Sequence, residues 1–207
     1  MTIAARNTYH HGDLKNVLQA TASSMLATRG PQAISLREIS QAAGVSHAAA
    51  YRHYPDKEAL LADLAEAGFR ELVEINRRVA ARTRNGPVAQ LQACGRAYVD
   101  YGVSRPHLLQ LMFGGVIADW ESHQGLADAA RQLAGSLAAI VTEGQARGEL
   151  RAGEVGDLTL AAWSMVHGLA LLIAGRRIPG VNINAAFVRR AGRQCTSLLI
   201  DGLRAGR

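Results

Sequence analysis

An all-helical protein is what this sequence predicts, and three observations carry that reading. Apolar residues recur at three- and four-residue spacing along nearly the whole chain. No alternating apolar–polar run of the kind a half-buried strand needs is present. All 5 prolines (Pro31, Pro55, Pro87, Pro106 and Pro179) fall between the periodic segments, where a helix must stop or start. The expected architecture is about nine helices: an N-terminal three-helix unit containing a helix-turn-helix, followed by a larger helical unit.

Composition narrows the class. The chain has 207 residues, 48% of them apolar and 19% charged, which suits a globular protein with a real core. Its net charge of +6 and pI near 9.9 suggest an acidic partner. Before residue 58, Arg6, Lys15, Arg29, Arg37, Arg52 and Lys57 outnumber Asp13, Glu38 and Asp56. Cys94 and Cys195 lie far apart without metal-type spacing and read as reduced thiols. Residues 1–13 lack the apolar run of a secretion signal, and the stretch 158–175 is interrupted by Thr159, Ser164, His167 and Gly168. The expectation is a cytoplasmic protein with no membrane role.

The elements follow in order. Asp13 is the expected cap of a first helix from Leu14 to Arg29, with Leu14, Val17, Leu18, Thr21, Ala22, Met25 and Leu26 inward and Gly30-Pro31 as its stop. Ser35 caps a short helix with Leu36, Ile39 and Ala43 inward, and Gly44 ends it. Ser46 caps the next helix, which Pro55 terminates. Asp56 starts a long helix to about Arg84, and Asn85-Gly86-Pro87 breaks the chain. Further helices are expected over about 88–104, 106–118, 122–147, 155–175 and 184–204.

Residues 35–57 carry most of the functional information. Two short helices joined at Gly44 make a helix-turn-helix, in which the second helix lies in the DNA major groove. Small Ser40, Ala43 and Gly44 allow a close crossing, and Ile39 and Val45 fill it. His47, Ala48 and Ala49 open the second helix toward base edges, where an alanine can meet only an apolar group such as a thymine methyl. Tyr51, Arg52, His53 and Lys57 offer donors for phosphate oxygens, as do the capping Ser35, the Ser46-capped helix start and the nearby Arg37.

At this point the chain resembles a known family. Ile39, Ala42-Ala43-Gly44-Val45-Ser46, Tyr51, His53, Tyr54, Lys57 and Leu60 match the DNA-binding domain of the TetR family of transcriptional regulators over residues 9 to about 70. The resemblance implies phosphate or base contacts from Ser35, Ser46, His47, Ala48, Tyr51, His53 and Lys57. Two positions depart from the family pattern: Ala50 stands where Leu is usual, and Tyr54 where Phe is commoner. The resemblance also implies a domain over 1–57 for DNA binding, with the helix from about 57 to 84 as connector. Residues 58–207 would then bind ligand and dimerise. Tyr9-His10-His11 reads first as a solvated lead-in, and otherwise as a metal pair or an arm toward the minor groove.

The second half is read less sharply. Segment 155–175 is apolar all round and so must be covered on both sides, by its own core and by a second subunit. Leu158, Ala162, Met165, Leu169 and Leu172, with Ala191, Cys195 and Leu198 of the last helix, are the expected dimer interface, a four-helix contact with a symmetry mate. Trp163…His167-Gly168, with Gly148-Glu149-Leu150-Arg151 before it, is similar to a C-terminal ligand-binding domain found in some TetR-type regulators. Tyr98, Tyr101, Met112, Phe113, Trp120, Trp163 and His167 are the candidate pocket residues, for an effector that is largely apolar; His167 reads first as a core histidine and otherwise as the pocket's polar anchor. Asp119 and His123 have the spacing of a metal pair but no third ligand, so no metal or other cofactor is expected.

No catalytic motif appears: there is no Gly-x-Ser-x-Gly, no phosphate loop and no His-Glu-x-x-His. The expected function is a homodimeric regulator on near-palindromic double-stranded operator DNA, a repressor released by a small molecule. An activator, a regulator without ligand, and a helical carrier or enzyme with an incidental basic N-terminus are the alternatives. A membrane-surface protein is disfavoured because the first helix carries only Lys15 and Arg29.

Overall fold

The computed structural model describes residues 11–204, with side chains from Leu14 onward, and contains nine helices among the described residues. They are α1 (His11–Arg29), α2 (Leu36–Ala42), α3 (His47–His53), α4 (Lys57–Arg82), α5 (Gly86–Ser104), α6 (Pro106–Phe113), α7 (Gln124–Ala146), α8 (Val155–Ala174) and α9 (Ala185–Leu203). The only strand-like feature among the described residues is an isolated bridge between Leu150 and Arg204.

Capping explains the short helices. Ser35 Oγ accepts from the Glu38 N–H at 3.2 Å, Ser46 Oγ from Ala49 N–H at 3.2 Å, and Asp56 Oδ1 from Ala59 N–H at 2.8 Å. Glu38 returns the contact, since the Ser35 hydroxyl donates to its carboxylate at 2.6 Å, close to a capping box. α1 starts earlier than expected, so Asp13 lies inside it and does not cap it. α6 ends at Phe113 and not near 118, because Gly114-Gly115 interrupts it and Gly115 takes φ 69°.

One apolar cluster runs through most of the molecule. Leu18 of α1, Ile39 of α2, Ala50 of α3, Leu60, Phe69 and Leu72 of α4, Leu109 and Met112 of α6, Leu126 of α7 and Ile173 of α8 all belong to it. A smaller cluster of Leu91, Cys94, Val141, Leu150, Leu199 and Ile200 closes the far end. The core therefore continues along α4 without a gap. Close backbone approach helps: a Cβ on Gly68 of α4 would lie 2.7 Å from Met112 Sδ, so glycine lets α6 sit tightly on the connector.

Helix α8 packs differently from expectation. Ala162, Val166, Ala170 and Ile173 face the core, while Leu160, Met165, Leu171 and Leu172 are exposed large apolar side chains. Ala162 is thus corrected from interface to core, and Leu158 and Leu169 are half-buried against the protomer's own clusters. The helix is turned by roughly a quarter-turn from the expected face. With no polar stripe on it, hydrophobic periodicity could not fix its rotation.

Gly44 is a turn residue and not a close-packing one. A Cβ there would meet nothing within 4 Å, but its φ is 69°, in the left-handed region. Gly44→Ala should therefore cost about 1–2 kcal/mol through backbone strain alone, a loss of roughly 2–8 °C in Tm for a chain this size. Thermal unfolding followed by circular dichroism checks it; an unchanged Tm would mean the turn tolerates a side chain.

Candidate nucleic-acid interface and internal cavity

The turn and α3 project one exposed face. Ser46, His47, Ala48, Tyr51 and Arg52 are exposed, Ala49 and His53 are half-buried, and Ala50 is fully buried beneath them. Ala50 is thus the contact between α3 and the core, and a compact one, letting the helix sit close to Ile39. Arg37 is exposed on α2 beside this face. Ser35 is half-buried with its hydroxyl committed to Glu38, whose carboxyl Ser35 and Arg29 hold below the usual range. Lys57 is half-buried, its Nζ 3.5 Å from the Gln32 carbonyl, and desolvation lowers its pKa while Glu38 opposes that. Tyr9 and His10 lie outside the described residues, and His11 is the first residue of α1.

The exposed face is held by Tyr54, which ends α3. Its ring is buried and its hydroxyl donates to Asp63 Oδ2 of α4 at 2.9 Å. Lys15 Nζ and Gln19 Nε2 of α1 reach the same carboxylate at 2.7 and 3.2 Å. Burial, with Asp63 second, pushes the Tyr54 hydroxyl well above the ordinary phenol range, so it remains a donor. This gives the tyrosine at that position a reason: a phenylalanine would leave Asp63 one donor short.

Further along α4, the helices α4, α5, α6, α7 and α8 line a cavity of about 520 Å³ that opens to solvent past the exposed Glu121, Ala134 and Leu160. Of the sequence candidates, Tyr98, Phe113, Trp120 and Trp163 line it. Tyr101 and Met112 do not: Tyr101 is buried with its hydroxyl donating to the Gly68 carbonyl at 3.3 Å, and Met112 packs against α4. His167 stands behind the wall, its Nδ1 2.7 Å from the Tyr98 hydroxyl and its ring 4.9 Å from that of Phe113 and 5.3 Å from that of Trp163. Phe69 was missed by sequence reasoning although it is central, meeting Phe113 at 5.1 Å and Trp120 at 5.5 Å in edge-on contacts. Ala127, Ala130, Ala134 and Ala138 of α7 also line the cavity. Their three- and four-residue spacing was the available signal, because small side chains on one helix face leave the space that large ones would fill.

Other sequence candidates have ordinary partners. Asp119 Oδ1 accepts from the Ser122 N–H at 3.3 Å, and His123 Nε2 lies 3.9 Å from Glu58. Burial raises the Cys94 thiol to about 11, and Cys195 is half-buried with its thiol toward the Met165 carbonyl.

Comparison with known proteins decides the family. Residues 18–64 match the model for bacterial regulatory proteins of the tetR family, and residues 91–199 match a tetracyclin repressor-like C-terminal domain. The chain belongs to the TetR family. It is a DNA-binding transcriptional regulator. A Rhodococcus sp. RHA1 protein of unknown function shares 32% identity over 96% of this chain and 100% of its own, with a TM-score of 0.81. A tetR-family regulatory protein from Rhodococcus RHA1 superposes with a TM-score of 0.72 at 18% identity, covering 93% of this chain and 98% of its own. The TetR-family regulator PfmR of Thermus thermophilus does so at 0.68 and 21%, covering 91% and 98%. No curated protein matches the chain.

Burial also lowers the pKa of His167, favouring the neutral ring that accepts from Tyr98. Its contribution is therefore whole above the free value of 6.5 and is lost as pH falls from there toward the depressed folded value. His167→Gln should flatten the decline of Tm below that pH relative to wild type. Parallel melts between pH 7.5 and pH 5 (about two units around the reference value) read this difference; identical curves would refute it.

Proposed function

We propose that this regulator is a homodimeric repressor that grips a near-palindromic operator with two copies of α3 and lets go when a small, largely apolar effector fills the cavity. The observation that carries the reading is the place of Phe69. It lies on α4, the helix whose other end bears the DNA-facing unit, and its ring forms part of the cavity wall. Residues 1–57 act as the reading head, α4 as connector and residues 58–207 as ligand-binding and dimerisation unit. The protein works in the cytoplasm and acts by binding alone.

On DNA, His47 and Ala48 face base edges, with Ala49 at their flank. Tyr51, Arg52, His53, Lys57 and Arg37 serve phosphates, and the capped starts of α2 and α3, at Ser35 and Ser46, add backbone donors. Two such heads must be spaced by one DNA turn, roughly 34 Å, or a small multiple. The exposed stripe of Leu160, Met165, Leu171 and Leu172 on α8, joined by Leu198 of α9, supports the dimer, with half-buried Ala191 and Cys195 at its border. Large apolar side chains left exposed in this number are otherwise a liability. An effector that presses on Phe69, Phe113 and Trp120 favours a different position of α4 and α6, and the heads no longer fit. It shifts the population only by its differential affinity for the two states.

Selection of bound duplexes from a random pool tests the reading directly: a symmetric motif is expected, and an asymmetric one or none overturns it. On that duplex, Arg52→Ala should weaken binding with an unchanged Tm and lower the slope of log affinity against log salt by about 2 per dimer, one for each lost phosphate contact. An unaltered slope places Arg52 off the DNA. Leu172→Glu should weaken self-association by roughly 100-fold or more, because two carboxylates would be buried without partners; sedimentation velocity reports it, and an intact dimer moves the interface elsewhere.

A further inference from the structure

The cavity's role as effector site leaves its ligand undefined, and two side chains on its wall narrow the chemistry. Thr159 and Trp163 lie one turn apart on α8 and both line the cavity. The Thr159 hydroxyl oxygen and the Trp163 indole nitrogen are buried and have no hydrogen-bond partner among the described residues. Elsewhere in this protein a helical threonine donates its hydroxyl to the carbonyl one turn back, as Thr142 does to Ala138 at 3.0 Å and Thr196 to Gly192 at 2.9 Å. Thr159 makes no such bond. The nearby Tyr98 hydroxyl donates to His167 at 2.7 Å, and its oxygen is a protein acceptor near the Trp163 N–H that stays outside ordinary hydrogen-bond geometry. Buried donors without acceptors are rare and costly in native proteins, and two on one wall of a cavity point to an acceptor brought by a ligand.

The remaining wall says what surrounds that acceptor. Phe69, Phe113 and Trp120 present aromatic rings, and α7 opposes them with alanines. The cavity's charged residues are Glu121 and Arg131, which face each other at 3.9 Å, with Asp128 also holding Arg131 at 2.6 Å. No unpaired charge is left for an ionised group, and moving one into apolar surroundings would be expensive. Aromatic faces favour flat rings. A carbonyl oxygen has two lone pairs and so can accept from both donors at once.

Building on the effector-site reading, we infer that the cavity takes a neutral, flat, multi-ring molecule whose carbonyl oxygen is held by the Trp163 N–H and the Thr159 hydroxyl. Its size of about 520 Å³ suits a drug-sized compound. The ring system supplies the affinity through apolar burial, and the two donors select the ketone over its hydrocarbon counterpart.

Three probes separate the possibilities: 9-fluorenone, fluorene and fluorene-9-carboxylate, each titrated calorimetrically into the full chain. The ketone should bind about tenfold tighter than the hydrocarbon, as one to two added hydrogen bonds allow, and the carboxylate should bind most weakly. Thr159→Val keeps shape while removing its donor, and Trp163→Phe removes the other donor while leaving an aromatic ring, so the ketone is read against the hydrocarbon in the same variant. In the double variant the ratio of 9-fluorenone to fluorene affinity should fall to about one, while continued binding of fluorene certifies the fold. Equal binding of ketone and hydrocarbon, a preference that survives the double variant, tightest binding of the carboxylate, or no binding by any probe would each overturn the inference. Operator release is scored separately. A selective ketone that leaves the protein on its DNA refutes the effector reading and upholds the ligand chemistry. Release without ketone selectivity does the reverse.

Discussion

The carboxylate of Asp63 is the joint on which this molecule's division of labour depends. It receives Lys15 and Gln19 from α1 and the Tyr54 hydroxyl from the end of α3, while belonging itself to α4. Two helices of the DNA-facing unit therefore meet the connector at one acceptor. Lys15 is half exposed, so its ion pair adds little net stability. The buried tyrosine contributes more, because its ring is in the core and its hydroxyl has a charged acceptor. Together with Leu60, Leu61 and Leu64, this polar joint fixes how the reading face is oriented on the connecting helix. In the proposed dimer, loosening there would lose the geometry that a groove-spaced operator demands.

The far half of α4 faces a different problem. Phe69 is almost wholly buried and meets two aromatic rings edge-on, yet a cavity lies beside it. Cores of this size normally fill such space, since voids forfeit dispersion contacts. Here α7 places alanines where larger side chains would close the gap. The chain thus forgoes packing energy at the point where movement of a ring would be transmitted along a helix. Gly68, next to Phe69, brings α6 into close contact with the same segment, so α4 and α6 should respond together.

How much of this was legible beforehand depends on what kind of signal each feature leaves. The nine helices and most of their limits could be read from caps and breakers, because Ser35, Ser46, Asp56 and Pro55 act through local backbone chemistry. The exposed face of α3 was equally legible, since a short helix after a glycine turn has few ways to be oriented. The cavity was half legible. Looking for large side chains found Tyr98, Phe113, Trp120 and Trp163 but also drew in Tyr101 and Met112, which are core, and passed over the alanines that create the volume. The rotation of α8 left no trace in the sequence, because a helix apolar on every side has the same periodic pattern whichever face it buries.

That uniformity in α8 has a physical consequence. Thr159 and Trp163 address the cavity, Val166 and Ala170 the core, and Met165 and Leu172 the outside, all within five turns. In the proposed dimer the helix that holds the ligand's acceptor is the same one that touches the partner. A rigid helix cannot adjust to a ligand on one face without moving the side chains on the other. Each cavity would therefore be sensed across the two-fold axis, and the two DNA-facing units would change their spacing as a pair, which is what releasing a palindromic operator requires. An apolar helix suits this position in the proposed dimer, because each of its sides would then be in contact with something that must feel the change.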